Sequence, residues 1–440
     1  MKNFKKISTV FVTTLLVGTF SPLGVVGTTV SAATSEQPEI DAAAAFVIEP
    51  TTGKVLLNQN GDKKLGIASM TKMITEYLLL ETIKDGDLAW DDQIEISEYA
   101  HKISQNYDLS NVPLRIDDTY SVEELYQAMA IYSANGATIA LAEHIAGDEK
   151  TFVDMMHEKV ESWGITNYEL YNTTGLSNGD LQGNIYPGST EDSENAMTAR
   201  EMAIVAQQLL TDFPEVLNTS SISEKTFREG TDDEIKMKNF NWMLPGLIYE
   251  RENVDGLKTG TTDFAGASMT GTVEEEGMRL ITVVMNATNG QKDKSKRFAE
   301  TDKMMDWAFE SWDMVPAFEE NQLIENIDPV VVDDGKEDAI ELAVKSDVSL
   351  LVPKNTDMKN TTVKVQLKED LLNEADHLMA PIEKGTDVGT AQVISEGDEL
   401  GYVNGDKGEE INVVAASTIE KANVFVLAGR WVKAFISDLF

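Results

Sequence analysis

The residues of this chain that could do chemistry fall into three short groups, and the first is Ser69 with Lys72. Both belong to a segment with a helical pattern, in which side chains three positions apart lie on the same face. A serine hydroxyl is a weak nucleophile until a base removes its proton, and Lys72 is the base at hand. This pair would support acyl transfer through a serine ester, with a lysine as the base, although such a pair by itself is more often an ordinary helix N-terminus with an exposed lysine.

Lys72 must be neutral to act as a base, although a free lysine has a pKa of ~10.4. Lowering that pKa to about 7 takes ~4–5 kcal/mol of differential interaction. Its neighbours Met70, Met73 and Ile74 are apolar, and burial among such groups disfavours an ammonium. A second cation nearby would disfavour it further, and we expect Lys258 to be that cation.

The second group is Ser133 with Asn135, at a predicted helix–loop junction before Gly136. Ser133 would relay a proton between the Ser69–Lys72 pair and a leaving amine. Asn135 would hold a substrate amide and help to fix Lys72. A Ser-x-Asn triplet by itself is more often a turn or a helix cap.

The third group is Lys258, Thr259 and Gly260, in strand-like sequence. The lysine and the threonine hydroxyl suit a substrate carboxylate, and the glycine allows another backbone to lie alongside the strand. The N–H groups of Thr261 and Ser69 would form an oxyanion hole, worth ~3 kcal/mol or more per donor. The order and spacing of the three groups favour catalysis over three unrelated structural motifs.

The elements that must position these groups have an α/β pattern over residues 34–315. Strand-like segments between 43 and 57 precede a helical middle, and further ones between 254 and 285 follow it. The sheet is therefore assembled from both ends of this region. Helices are predicted over residues 68–83, 121–147, 150–162, 196–210 and 296–312.

The remainder of the chain has a different pattern. Short alternating strands separated by turns predict a small β-rich domain over residues 316–415. Residues 416–440 are amphipathic and locally basic, which predicts a helix lying in a membrane interface; packing on its own domain is the alternative. The apolar face comprises Val424, Ala428, Trp431, Phe435 and Leu439.

The N-terminus has the pattern of a signal peptide, over residues 1–33. A basic start precedes an apolar run over 10–17, and small residues near Ala32 and Ala33 suit cleavage. An uncleaved anchor helix is the alternative. Cleavage would place the mature protein outside the cytoplasm, where an ATP-dependent reaction is disfavoured.

Composition bears on which partners and which kinds of site the protein has. The formal net charge of -39 over 440 residues repels nucleic acid, so we expect no nucleic-acid partner. The absence of cysteine excludes disulfides, thiolate zinc sites and cysteine nucleophiles. The four histidines are scattered, with no pair at ligand spacing, so we expect no metal and no cofactor.

These motifs resemble those of the low-molecular-mass penicillin-binding proteins, specifically the D-alanyl-D-alanine carboxypeptidases of peptidase family S11. The segment 253–262 is a close match, and the hairpin at 52–56 precedes the Ser69 motif as in that family. The resemblance implies an α/β serine β-lactamase/transpeptidase-like domain, followed by a small β-rich domain and a C-terminal amphipathic helix.

The resemblance also implies a reaction. Ser69 would attack the bond between the last two D-alanines of a peptidoglycan stem peptide, and water would hydrolyse the resulting acyl-enzyme. β-Lactam antibiotics would acylate the same serine. By position, Arg297 would help to bind the terminal carboxylate. The enzyme would be secreted and attached to the outer face of the cytoplasmic membrane through its C-terminal helix.

Three alternatives stay open at this level. Glu169 lies close to where a deacylating glutamate would fall, which favours a β-lactamase. A D,D-transpeptidase or endopeptidase on the same fold is the second, and a non-catalytic cell-wall binding protein is the third. The chain also departs from the family pattern: Ile67 replaces a frequent proline, and segments 179–195 and 242–253 are long.

Overall fold

The computed structural model describes residues 37–325, 327–356, 361–394, 400–405, 408–428 and 430. The predicted signal peptide and the last ten residues of the predicted C-terminal helix lie outside the described residues. Contacts divide the described chain into two compact units. The first contains residues 37–311 with 402–405, and the second contains the rest from residue 312 onward.

A five-stranded antiparallel sheet is the centre of the first unit. Its strands are β1 (Ala42–Glu49), β2 (Lys54–Gln59), β9 (Val254–Thr262), β10 (Gly266–Glu275) and β11 (Met278–Ala287). In the order β2-β1-β11-β10-β9, the early strand β1 pairs with the late strand β11. The prediction that both ends of this region build one sheet is confirmed.

Helices cover the sheet. Phe46 and Val47 are adjacent on β1, in regular register with both neighbouring strands, and so point to opposite faces. Both are fully buried, which means that each face is covered. The helices are α1 (Lys72–Asp85), α2 (Glu98–Ser104), α3 (Val122–Tyr132), α4 (Asn135–Ala146), α5 (Glu149–Ser162), α6 (Ala199–Asp212), α7 (Leu217–Ser220) and α8 (Lys296–Ser311). Of these, α6 and α8 pack against the sheet, and α1, α3 and α4 contact one another.

The remaining strands of this unit form short antiparallel pairs. They are β3 (Leu65–Gly66) with β6 (Ala196–Met197), β4 (Gln93–Glu95) with β5 (Thr119–Ser121), and β7 (Glu224–Phe227) with β8 (Ile235–Lys238).

The helical segment predicted over 121–147 is two helices, because the chain breaks at Ser133, where the second motif predicted a helix–loop junction. A capping box of Ser121 and Glu124 starts α3. Ser133 ends it in the left-handed conformation, with φ 56°, and Ala134 is extended before α4 begins at Asn135. The break places both polar residues of the second motif at a corner between helices.

The second unit is built of strands, as predicted. They are β12 (Trp312–Phe318), β13 (Val330–Asp333), β14 (Ala339–Ile340), β15 (Leu342–Val344), β16 (Val348–Pro353), β17 (Thr362–Leu367), β18 (Leu378–Met379), β19 (Asp387–Ile394) and β20 (Glu409–Ala415). They form a four-stranded sheet β15-β20-β19-β17, a three-stranded sheet β14-β13-β18 and the pair β12-β16. The first strand begins at Trp312, directly after α8, so strand structure starts before the expected boundary at 316.

The described end of the chain turns helical at residue 424. Val424 and Phe425, two adjacent apolar residues, are 78% and 89% exposed there. No helix in the described part of the chain is both long enough and apolar enough to cross a membrane.

Candidate active site

Ser69 lies in a 3₁₀ turn, Ala68–Thr71, that leads directly into α1. The turn is held from two sides. The Ile67 N–H donates to the Asn195 carbonyl at 3.0 Å, and a Cβ added to Gly260 on β9 would lie 2.5 Å from the Ile67 carbonyl oxygen. Glycine at 260 therefore lets the backbone of the turn that carries Ser69 lie close against β9.

Lys72 begins α1 and is almost fully buried, at 1% exposure. Its Nζ lies 3.1 Å from the Ser69 Oγ, 2.8 Å from the Asn135 Oδ1 and 2.7 Å from the Thr174 carbonyl oxygen. The Asn135 Nδ2 donates to the Ser110 carbonyl at 3.0 Å, which fixes the orientation of the amide. The fold therefore brings Ser69, Lys72 and Asn135 into direct contact.

This arrangement determines where the lysine lone pair points. A neutral amine has two N–H groups and one lone pair, and neither an amide oxygen nor a carbonyl oxygen can donate. The oxygens of Asn135 and Thr174 therefore take the two N–H groups. The lone pair remains for the hydroxyl proton of Ser69.

The charges around Lys72 follow the expectation from sequence. Burial holds the pKa of Lys72 well below its ordinary value, and Lys258 lowers it further, whereas Glu149 opposes both. Burial also lowers the pKa of Lys258 to about 7, with Glu76 opposing the shift and Arg297 adding to it. Two lysines that are both easily neutralised thus share one buried region.

Ser133 lies at the corner between α3 and α4 and is 3% exposed. Its Oγ is buried and has no hydrogen-bond partner among the described residues. A buried hydroxyl without a protein partner is available to hydrogen-bond a substrate atom or a water molecule.

The third motif lies on β9, which forms one edge of the main sheet. Lys258 is paired with Thr270 of β10, and Thr261 is paired with Ala267. Lys258 and Thr259 are 6% and 7% exposed, so their side chains are mostly covered by protein. The same strand contacts the turn that carries Ser69.

Arg297, in the first turn of α8, spans β9 and β10. Its Nη1 donates to the carbonyl oxygens of Gly260 and Ser268 at 2.8 and 2.9 Å, and its Nη2 donates to the Thr261 Oγ1 at 2.8 Å. Most of its donors are thus used within the protein. The structure places Arg297 beside the third motif, as a clamp on the strand that carries it.

Sequence reasoning missed Thr174, whose carbonyl oxygen contacts Lys72. It belongs to a buried loop in which the Asn172 Oδ1 accepts from the backbone N–H groups of Thr174 and Gly175, at 3.1 and 2.7 Å. Gly175 has φ +76°, and a Cβ there would lie 1.8 Å from the Ala68 carbonyl oxygen. Gly175 was a signal in the sequence for this tight loop. The contact itself could not be predicted, because every residue type has a main-chain carbonyl.

Glu169, the residue that favoured a β-lactamase, is engaged elsewhere. Its carboxylate accepts from Lys64 at 2.6 Å, and its side chain is 42% exposed. Its backbone pairs with Ala196. The group that this segment presents to Lys72 is a carbonyl oxygen, that of Thr174, and not a carboxylate.

Known protein families match both parts of this chain. The D-alanyl-D-alanine carboxypeptidase family, Peptidase_S11, matches residues 31–289. The C-terminal domain of penicillin-binding protein 5 matches residues 312–421. The carboxypeptidase DacF of Bacillus subtilis is 31% identical over 397 residues, covering 89% of this chain and 90% of the relative.

Two penicillin-binding proteins of known structure are similar to this chain in both fold and sequence. PBP3 from Streptococcus pneumoniae, described as a peptidoglycan synthesis regulatory factor, has a TM-score of 0.71 and 36% identity, covering 87% of this chain and all of that one. Penicillin-binding protein D2 from Listeria monocytogenes, with ampicillin bound, has a TM-score of 0.50 and 30% identity, covering 61% of this chain and 98% of that one. This chain belongs to the D-alanyl-D-alanine carboxypeptidase family, peptidase family S11.

Proposed function

We propose that this protein is a serine-type D-Ala-D-Ala carboxypeptidase that removes the terminal D-alanine from peptidoglycan stem pentapeptides. Family membership supports the reaction class. The observation that carries the proposal is the set of contacts at Lys72, because two oxygens that cannot donate leave its lone pair for Ser69.

Acylation begins when the Ser69 Oγ attacks the carbonyl carbon of the penultimate D-alanine. The hydroxyl proton passes to Lys72, and the N–H groups of Ser69 and Thr261 stabilise the oxyanion. Ser133 then relays a proton from Lys72 to the leaving amine, and the C–N bond breaks to release D-alanine. The unpaired Ser133 hydroxyl supports this relay.

Binding of the terminal carboxylate is assigned to Lys258 and the Thr259 hydroxyl, with Thr261 beside them. Arg297 supports this pocket in two ways: it orients the Thr261 hydroxyl directly, and it adds positive charge. Asn135 holds the substrate amide through the second hydrogen of its Nδ2. We assign no metal and no cofactor to the reaction.

Water completes the cycle by hydrolysing the acyl-enzyme, with Lys72 again as the base. A β-lactamase would perform the same acylation but deacylate rapidly. The Glu169 carboxylate is exposed and paired with Lys64, which supports slow deacylation of β-lactams. The ampicillin-bound Listeria structure supports acylation of this fold by penicillins.

Intact-protein mass spectrometry after incubation with benzylpenicillin tests this assignment. We expect a stable adduct of one penicillin on the wild-type protein and none on the Ser69→Ala variant. Rapid turnover of penicillin without a stable adduct would instead identify a β-lactamase. No reaction at all would indicate a binding protein on an enzyme fold.

We also propose that the chain is secreted and held at the outer face of the cytoplasmic membrane by residues 416–440. The exposed Val424 and Phe425 support membrane contact, because apolar side chains are favourable in the lipid interface. In this proposal the chain consists of a signal peptide (1–33), a penicillin-binding D,D-peptidase domain (34–315), a β-rich domain (316–415) and an amphipathic membrane-anchor helix (416–440). Binding of the full chain to phospholipid vesicles, lost when the chain ends at residue 416, is the expected result; equal binding by both would contradict it.

A further inference from the structure

Glu149 is a buried carboxyl group that the reaction above does not use. It is the first residue of α5 and is 8% exposed. Its Oε1 accepts from the Thr173 backbone N–H at 3.0 Å and from the Thr173 Oγ1 at 2.7 Å, and its Oε2 accepts from the Tyr99 hydroxyl at 2.8 Å. Burying a carboxylate is costly unless it is hydrogen-bonded, and these three bonds stabilise Glu149 in its buried position.

Glu149 holds Thr173, which directly precedes Thr174, the residue whose carbonyl contacts Lys72. Thr173 is also hydrogen-bonded to α1, because its carbonyl oxygen accepts from the Thr75 Oγ1 at 2.8 Å. The following carbonyl, that of Thr174, accepts from the Lys72 amine at 2.7 Å. Residue 173 is therefore fixed between α5 and α1, and this fixes the direction of the next carbonyl.

We propose that Glu149 is a positioning residue for Lys72. It fixes the segment 173–174 so that the Thr174 carbonyl holds the amine with its lone pair toward Ser69. Its buried charge also stabilises the ammonium that Lys72 becomes when it takes the serine proton. This inference rests on the proposed function, since it assumes that Lys72 is the base.

The charges that face these two groups come from several elements. Lys72 faces the cation Lys258 on β9, and Glu149 is the acidic group that acts in the opposite direction. Glu149 in turn faces Tyr99 on α2 and Glu143 on α4. Burial raises the pKa of Glu149, whereas its hydrogen bonds and Lys72 lower it.

The test compares three variants by the rate constant for acylation with a fluorescent penicillin, measured from pH 5 to pH 10, and by thermal unfolding. Glu149→Gln keeps the shape and removes the charge. Glu149→Ala removes both. Glu143→Gln is the matched control, because Glu143 is half-buried nearby but accepts from Ser97 and not from the 173–174 segment.

We expect Glu149→Gln to lower the acylation rate about tenfold at its plateau. Its acid limb should move to lower pH by about one unit, because loss of the negative charge lowers the pKa of Lys72. Glu149→Ala should lower the rate on the order of a hundredfold at every pH, since misplacement of the base is enough for such a loss. Glu143→Gln should behave as the wild type.

A Glu149→Gln variant with the wild-type rate and pH profile would overturn the proposal. So would a loss of rate that only follows a loss of folded protein, with the pH profile unchanged, because that is the result of a merely structural role. If Glu149→Ala does not fold, the pH profile of Glu149→Gln decides alone. Failure of the wild-type protein to be acylated would contradict the proposed function instead.

Discussion

At the scale of single residues, the site depends on which oxygens surround one amine. The pairing of Ser69 with Lys72, and the influence of Lys258 on that lysine, were predictable from residue types and spacing. The contact between Lys72 and the Thr174 carbonyl was not, because every residue has a carbonyl and only the fold selects one. Glu149 was missed for a related reason, since its partner is a backbone N–H distant in sequence.

Substitution of Asn135 tests the hydrogen bonding of the base. Asn135→Asp would place a carboxylate against Lys72 and raise its pKa, so acylation should fall at neutral pH and recover at alkaline pH. Asn135→Ala removes an acceptor without adding charge, so its acylation should fall on the order of a hundredfold with no alkaline recovery. Penicillin acylation rates across pH separate the two. Parallel pH profiles for both variants would contradict this account of Lys72.

Substitution of Glu76 tests a second buried carboxyl, on α1. It accepts from the Tyr126 hydroxyl at 2.8 Å, and burial raises its pKa from 4.5 to about 7. The folded state therefore binds this proton more tightly, and stability is lost as the pH rises from about 4.5 to about 7. The loss amounts to roughly 3 kcal/mol.

Glu76→Gln should therefore raise the thermal unfolding midpoint by a few degrees at pH 8 and by much less at pH 5. The reason is that the glutamine stays neutral at both pH values and can keep the bond to Tyr126. Calorimetry of the two proteins at both pH values measures the effect. An equal change at pH 5 and pH 8 would show that ionisation of Glu76 is not the cause.

At the scale of elements, the site requires a broken helix and a buried loop. The helical pattern runs through residues on both sides of Ser133, and only the second motif predicted a helix–loop junction there. Periodicity spans both helices, and a non-glycine residue in the left-handed conformation leaves little trace in a pattern. The main sheet, in contrast, was predictable, because its apolar strands at the two ends of the region are long and distinct.

Two glycines with nearly equal backbone angles test the loop that supports Lys72. Gly175 has φ +76° and lies against the Ala68 carbonyl, whereas Gly164 has φ +78° and nothing within 4 Å of an added Cβ. Both alanine variants bear the cost of a left-handed residue, ~1–2 kcal/mol. Only Gly175→Ala also displaces the turn that carries Ser69.

We therefore expect Gly175→Ala to lower both the unfolding midpoint and the penicillin acylation rate well below those of Gly164→Ala. The latter should lose stability slightly and keep its acylation rate. Equal effects of the two substitutions on acylation would refute the role of the close contact at residue 175.

At the scale of the whole molecule, two units have separate cores. Every strand of the three sheets of the second unit pairs within that unit, and its apolar residues form their own cluster. The β-rich character was predictable from short alternating strands. The start of strand structure at Trp312 was not, since a helix ending at Ser311 runs directly into a strand with no intervening turn signal.

The separate core predicts that residues 312–421 fold without the catalytic unit. The fragment should show cooperative thermal unfolding by circular dichroism and no labelling by fluorescent penicillin. A fragment that lacks a cooperative transition would show that the two units depend on each other for folding.

The central claim is that Ser69 and Lys72 cleave a terminal D-alanine. The most direct measurement is D-alanine release from a peptide ending in L-Lys-D-Ala-D-Ala, by the wild-type protein and by the Ser69→Ala and Lys72→Ala variants. We predict release by the wild type and a loss of at least about a thousandfold in both variants, because neither can form the acyl-enzyme efficiently. Release that persists in Ser69→Ala, or no release by a wild-type protein that penicillin acylates, would contradict it.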